Sequence, residues 1–116
     1  DTDFTAKLVD VEPCGYARNL TDGIIRARYR QPRQPADLIQ PNQVYEYTID
    51  LWATSNVFKR GHSIRLEVSS SNFPRFDRNT NTGKVISTDG EPKPALQTIL
   101  HNPTHPSHVT LPIVPR

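Results

Sequence analysis

The chain has 116 residues, with 11 Pro, 5 Gly and a formal net charge of +2. This length allows a single domain, residues 1–116, with a modest core, and the excess of Pro favours short strands over long helices. The small charge argues against a nucleic-acid partner, the apolar runs are too short to cross a membrane, and one cysteine, Cys14, excludes an intrachain disulfide. Because the chain has no Met and opens in a strand pattern, we expect a piece of a longer protein.

The first third of the chain contains two alternating stretches. Residues 4–12 alternate with period two, which predicts a half-buried strand, and residues 13–23 supply turn formers. Residues 24–30 alternate again and predict a second strand. The inward residues of the first stretch are Phe4, Ala6 and Leu8, and the arginines on one side of the second are Arg26, Arg28 and Arg30.

Four more stretches read as strands. Residues 44–52 and 62–71 alternate clearly, whereas residues 95–101 and 108–114 are weaker because of Pro112. The predicted inward residues are Tyr45, Tyr47, Ile49 and Leu51 in one stretch and Ile64, Leu66 and Val68 in another. Six short strands between Pro, Asn and Gly turns predict an all-β antiparallel sandwich or barrel.

The chain contains Ser, His and Asp, the residue types of a hydrolytic triad, but it lacks the local motif that holds the nucleophilic serine. No G-x-S-x-G elbow occurs, and Ser69, Ser70 and Ser71 close a strand rather than sit at a strand-to-helix turn. A serine near His62 and Asp77 is expected by chance in this composition. The sequence therefore predicts no catalytic triad within the chain.

Three histidines near the end of the chain suggest a metal site at first sight. His101, His105 and His108 lie in an extended segment whose prolines would point the rings apart, and no Cys or carboxylate accompanies them. Zinc needs ligands that converge on one point. We therefore expect a surface turn.

The stretch RARYRQPR could be read as a nucleic-acid-binding stripe, because four arginines and a tyrosine occur in it without an acid. The alternative is cross-strand ion pairing. Since the net charge is small, we expect the arginines to pair with the outward acids Glu46, Asp50 and Glu67.

Longer stretches carry a family resemblance. They are DTDFTAKLVDV at the start, LTDGIIRARYR at 20–30, YEYTIDLWATSNVFKRGHSIRLEVSSSNFPRFDRNTNTG at 45–83, and the closing ALQTILHNPTHPSHVTLPIVP. Together they resemble the C-terminal domain of X-Pro dipeptidyl-peptidases, cocaine-esterase-like hydrolases and glutaryl-7-aminocephalosporanic acid acylases. The resemblance covers nearly the whole chain.

The resemblance implies a jelly-roll β-sandwich of the galactose-binding-like type that lacks its first strands. In that family the catalytic Ser, Asp and His come from a preceding α/β-hydrolase domain, so no catalytic residue, cofactor or metal ligand is expected here. The implied partner is that hydrolase domain, and the implied role is to shape the active site of a serine hydrolase acting on acyl ester, amide or X-Pro bonds. A sandwich without its first strands would expose a sheet edge, so self-association is also expected. A stand-alone carbohydrate-binding jelly roll is the alternative function.

The connection from Ser71 to Ala95 is long for a compact domain, and long ordered loops are often functional. Pro74 holds Phe73 extended, and the Asn residues that follow are turn formers. We expect this loop to dock on the hydrolase domain, with local structural pinning as the alternative. The candidate docking residues are Asn72, Phe73, Arg75, Phe76, Asp77, Arg78, Asn79 and Trp52.

Overall fold

The structure is a computed structural model that describes residues 1–31 and 34–115. Its regular elements are strands and two short 3₁₀ turns, so the prediction of an all-β antiparallel chain is confirmed. Among the described residues, no helix has the length and apolar character needed to cross a membrane. The strands are β1 (Asp3–Val11), β2 (Ala17–Arg26), β3 (Ser63–Ser69), β4 (His101–Asn102) and β5 (His105–Pro106), and the 3₁₀ turns are Ala27–Tyr29 and Ile86–Thr88.

Strand β1 lies at the centre of a three-stranded antiparallel sheet with the order β2–β1–β3. Ala6 lies opposite Gly23 on one side and Val68 on the other. Because paired residues point to the same side of a sheet, this register defines two faces. The apolar face carries Phe4, Ala6 and Leu8 of β1, and the polar face carries Asp3, Thr5 and, from β2, Asp22.

The predicted half-buried strand is buried on both faces. Thr5 and Val9, which the alternation placed on the outer side, are as buried as Ala6 and Leu8. The physical reason is that β1 is the central strand and that separate chain segments cover each of its faces. Alternation reports only the apolar side, so it cannot reveal a face that is buried by polar contacts.

The predicted turn over residues 13–23 is much shorter in the structure. The amide of Gly15 donates to the carbonyl of Glu12 at 2.8 Å, and Gly15 has φ +89°, a left-handed conformation that favours glycine. Strand β2 then begins at Ala17 because its backbone pairs with β1, with one register irregularity between Leu8 and Val9. Backbone pairing thus overrides the turn propensity of these residues.

Gly23, predicted as a turn former, lies within β2 and is needed for a different reason. A Cβ atom at this position would lie 2.0 Å from the carbonyl oxygen of Asp50. The glycine therefore permits the close approach of another backbone segment.

The predicted strand over residues 24–30 ends at Arg26. Ala27–Tyr29 form a 3₁₀ turn, and the amide of the fully buried Ala27 donates to the carbonyl of Thr2 at 2.9 Å. Because the chain turns here, the three arginines do not share one side of a strand, which corrects that part of the prediction.

Residues 44–52 do not form a strand, although their alternation is real. Tyr45, Tyr47, Ile49 and Leu51 are less exposed than the residues between them. The ring of Tyr47 lies 4.9 Å from that of Phe4, and the hydroxyl of Thr21 donates to the carbonyl of Leu51. This segment crosses the apolar face and packs its side chains there, without joining the ladder of strand hydrogen bonds.

Strand β3 is confirmed, but its predicted inward residues are not buried. Ile64, Leu66 and Val68 are 52%, 38% and 43% exposed. They lie on the apolar face beside β1. The segment that covers that face packs on β1 and β2 and leaves this stripe accessible.

The two weaker strand predictions are wrong in position. Instead of strands at 95–101 and 108–114, the structure has a hairpin of two-residue strands, β4 and β5. Pro103, Pro106 and Pro112 lack backbone N–H donors, which limits strand pairing in this region.

Candidate functional site

The long loop that follows β3 folds back across the polar face of the sheet. Asp3 and Thr5 of β1 and Asp22 of β2 point to this face, and all three are buried. The hydroxyl of Thr5 lies 2.8 Å from that of Ser69, which fixes the start of the loop. A buried carboxylate needs hydrogen-bond partners, and residues 72–79, here called the 72–79 loop, supply them.

One end of the 72–79 loop is held by Asp22. The side-chain amide of Asn72 donates to the Asp22 carboxylate at 2.9 Å, and the guanidinium of Arg75 pairs with the same carboxylate at 2.8 Å. The carbonyl of Asn72 also accepts from the amide of Arg75 at 3.0 Å. Ionised hydrogen bonds of this kind are stronger than neutral ones, so this end of the loop has a defined position.

The other end of the loop is held by Asp3. The side-chain amide of Asn79 donates to Asp3 at 2.7 Å and to Asp1 at 2.8 Å, and its oxygen accepts from the amide of Asn81 at 2.9 Å. Both donors and the acceptor of this side chain are therefore in use.

Arg26 connects this end of the loop to the sheet. Its guanidinium donates to Asp3 at 3.0 and 3.2 Å and to Asp77 at 3.0 Å. Burial alone would lower the pKa of Arg26, but the hydrogen bonds and charges of Asp3 and Asp77 raise its pKa above the ordinary value. The cation is thus stabilised in a network that joins β1, β2 and the loop.

Two side chains of the loop face solvent together. Phe73 is 59% exposed, and the guanidinium of Arg78 lies 4.7 Å from the centre of its ring. Pro74, between them, is also exposed. Phe73, Pro74 and Arg78 are called the loop tip below. Phe76 is half-buried, with the guanidinium of Arg75 5.4 Å from its ring.

The rest of the connection is ordered by its own contacts. The amide of Lys93 donates to the carbonyl of Thr80 at 2.8 Å, which brings the ends of residues 80–93 together. The carboxylate of Asp89 accepts from the hydroxyls of Thr82 and Thr80, and these hydrogen bonds lower its pKa. The connection is therefore a closed loop on the surface.

The sequence of the chain matches a known family over residues 1–110, described as the X-Pro dipeptidyl-peptidase C-terminal non-catalytic domain. The chain belongs to this family. It is also 54% identical over 118 residues to the cocaine esterase of Rhodococcus sp. (strain MB1 Bresler). That match covers 100% of this chain and 21% of the relative, so the chain spans about a fifth of the length of the curated relative it matches.

In this X-Pro dipeptidyl-peptidase C-terminal domain, the structure brings together only some of the predicted docking residues. Asn72, Arg75, Asp77 and Asn79 bind partners on the sheet, as the alternative of local pinning predicts, although the side chains of Arg75 and Asp77 remain 59% and 65% exposed. Phe73 and Arg78 turn outward. Trp52 is 74% exposed but follows the segment that covers the opposite, apolar face. Whether any of these residues contact another domain stays a prediction.

The arginines of the C-terminal domain pair with acids, but with different acids from those predicted. The partners of Arg26 are Asp3 and Asp77, that of Arg28 is Asp1, and that of Arg30 is Asp37. Glu67 pairs instead with its strand neighbour Arg65 at 3.4 Å. The predicted partners Glu46, Asp50 and Glu67 were wrong because none of them lies in a strand next to β2: residues 44–52 form no strand, and β3 lies beyond β1. Arg28 and Arg30 also lie outside β2, which ends at Arg26. Arg33 lies outside the described residues.

The geometry of the C-terminal domain separates the triad residue types. His62 lies 2.8 Å from Asp10, not beside Asp77. Ser69 lies seven residues further along, at the other end of β3, about 23 Å away at 3.3 Å per residue. This separation agrees with the non-catalytic description of the family.

The His62–Asp10 pair was missed by sequence reasoning. Asp10 lies on the apolar face of β1, in line with Ala6 and Leu8, and this position is the signal that could have revealed it. Burial would raise the pKa of Asp10, but hydrogen bonds from His62 and Asn56 lower it below the ordinary value. The pair attaches the segment before β3 to the central strand.

The terminal histidines form an exposed turn, which confirms the sequence interpretation. His101 and His105 lie in the β4–β5 hairpin, where the backbone amide of His105 donates to the side chain of Asn102 at 2.8 Å. Within residues 1–31 and 34–115, no group of His, Cys, Asp and Glu side chains is placed to hold a metal ion.

Proposed function

We propose that this domain is the accessory β-domain of a serine hydrolase and that it binds the α/β-hydrolase domain of the same chain through the loop tip. The hydrolase domain would cleave acyl ester, amide or X-Pro bonds through an acyl-enzyme, with a serine activated by a histidine. The accessory domain would shape and stabilise the site. Membership of the non-catalytic C-terminal family and the likeness to an esterase nearly five times its length support this proposal.

The observation that carries the proposal is that some side chains of the 72–79 loop bind the sheet, whereas those of the loop tip do not. The side chains of Asn72, Arg75 and Asn79 bind buried carboxylates, although that of Arg75 remains 59% exposed. The outward side chains of Phe73 and Arg78 are left for a partner. Holding a loop in one conformation before binding reduces the entropy lost on association, and exposed aromatic and Arg side chains are frequent binding hot spots.

The experiment is a comparison of two variants of the full-length hydrolase chain, Phe73→Ala and Tyr16→Ala. Tyr16 is the matched control because it is an aromatic residue with the same exposure, 59%, in the turn between β1 and β2. We expect Phe73→Ala to lower kcat/KM for an acyl ester by up to about tenfold, the factor by which a loss of about 1.4 kcal/mol shifts the equilibrium between docked and undocked domains. Equal kinetics for the two variants would refute docking through the loop tip.

Trp52 provides a second comparison within the same chain. Because it lies at the segment on the apolar face, Trp52→Ala should leave kcat/KM close to that of Tyr16→Ala. A loss as large as that of Phe73→Ala would place the docking surface on both faces of the sheet. Binding of the chain to a glycan array through Trp52 would instead favour the carbohydrate-binding alternative.

A further inference from the structure

The charges of the 72–79 loop are balanced except at the tip. Arg75 pairs with Asp22 at 2.8 Å, and Asp77 pairs with Arg26 at 3.0 Å. Within residues 1–31 and 34–115, Arg78 has no ion-pair partner; its guanidinium lies over the ring of Phe73. Arg75 and Asp77 are also exposed but are already paired, so what the loop tip adds to the outward surface is the guanidinium of Arg78 on the ring of Phe73.

This pair is held in place from both sides. Asn72 precedes Phe73 and Asn79 follows Arg78, and each asparagine donates to a buried carboxylate of the sheet, Asp22 or Asp3. The loop tip thus lies between two fixed points. A guanidinium stacked on a ring in this way loses little rotational freedom on binding, and Arg stacks better than Lys because it is planar.

We infer that the loop tip occupies an apolar pocket bordered by carboxylates on the hydrolase domain. This inference rests on the proposed docking of that domain. An exposed phenylalanine and proline favour an apolar pocket, and an uncompensated arginine at the rim of the contact favours acids around that pocket, since complementary charges fix orientation and speed association. A basic or neutral surface would leave the guanidinium without a partner.

The test places a photo-crosslinking residue at the tip of the full-length chain, as Phe73→p-benzoylphenylalanine. The matched control is Tyr16→p-benzoylphenylalanine, at an equally exposed aromatic position. The crosslinked peptides are then identified by mass spectrometry. We expect a crosslink from position 73, but not from position 16, to an apolar stretch of the hydrolase domain that is flanked by Asp or Glu.

A charge series in the same chain isolates Arg78. We expect Arg78→Glu to reduce the crosslink yield from position 73 about tenfold, the size of one lost hot-spot interaction, and Arg78→Lys to reduce it less. The control is Arg60→Glu, which makes the same charge reversal at another exposed arginine, outside the loop tip. A yield unchanged by Arg78→Glu would overturn the inference.

The outcomes separate the inference from the proposal on which it rests. A crosslink to the hydrolase domain at a basic or uncharged surface would overturn the acidic pocket and leave docking intact. A crosslink to a second copy of the chain, or no crosslink between domains, would overturn both.

Discussion

The two faces of the central strand are covered in different ways. Residues 45–51 cover the apolar face through side chains such as Tyr47 against Phe4, and the stripe on β3 stays exposed. The 72–79 loop covers the polar face through a hydrogen bond to Asp3 and through an ion pair and a hydrogen bond to Asp22. Apolar burial has no preferred direction, whereas each charge-assisted hydrogen bond fixes two atoms. The polar face is therefore the one that can hold a loop in a single conformation.

The largest effect is expected from Gly23→Ala, which attacks the cover of the apolar face. The added Cβ would lie 2.0 Å from the carbonyl oxygen of Asp50, and the backbone of residues 49–51 would have to move away. We expect the free energy of unfolding to fall by about 3 kcal/mol, the upper end of what overpacking usually costs. Gly90→Ala is the control, because nothing lies within 4 Å of its added atom. Urea denaturation of both variants measures the difference, and equal midpoints would show that the segment is not held against β2.

The next effect is expected on the polar face. Asp3→Ala leaves Asn79 and Arg26 with one partner fewer inside the network. We expect a loss of about 2 to 3 kcal/mol in the free energy of unfolding, since a buried polar network is broken while Arg26 keeps Asp77. Glu12→Ala removes the exposed pair with Arg18 and should cost less than about 1 kcal/mol. If both variants unfold at the same urea concentration, the contacts of Asp3 contribute no more to stability than an exposed ion pair does.

The pH dependence tests one carboxylate on the sheet and one in the loop of residues 80–93. Asp10, against the apolar face, and Asp89, in the 80–93 loop, both have lowered pKa values in the folded state. The folded state therefore binds fewer protons than the unfolded chain at these sites. Their contribution to stability is present above the unfolded Asp pKa of about 3.9 and is lost as the pH falls through the folded pKa.

Asp10→Asn and Asp89→Asn should each flatten this acid-side loss, which urea midpoints between about pH 6 and pH 2 would measure. The double variant should show the flattest profile. A profile unchanged by either substitution would mean that the hydrogen bonds of His62 and Thr82 do not favour the ionised forms.

The smallest effect on stability is expected at the exposed stripe of β3. Ile64→Lys should change the free energy of unfolding by less than about 1 kcal/mol, because Ile64 is the most exposed residue of the stripe, at 52%. It should, however, reduce self-association, which we expect of the 116-residue chain because an uncovered apolar stripe and a sheet edge invite pairing. Sedimentation equilibrium of the parent chain and the variant measures this, and a monomeric parent at high concentration would contradict it.

The sequence by itself determined the fold class, two of the strands and the absence of a nucleophile elbow. Alternation over residues 4–12 and 62–71 found β1 and β3 because period two is a local property of each segment. It also found which residues of the 44–52 segment face inward. Residue types such as Phe73, Pro74 and Arg78 were enough to single out the loop, and the long stretch around them carried the family resemblance.

Only the tertiary structure decided what each segment pairs with. The alternation of residues 44–52 does not distinguish a hydrogen-bonded strand from an extended segment that packs on a face, because both bury every second side chain. The burial of Asp3, Thr5 and Asp22 depends on a loop some fifty or more residues away in the chain. For the same reason the sequence could not tell which side chains of the 72–79 loop bind the sheet and which do not, because that depends on where the sheet's buried carboxylates lie.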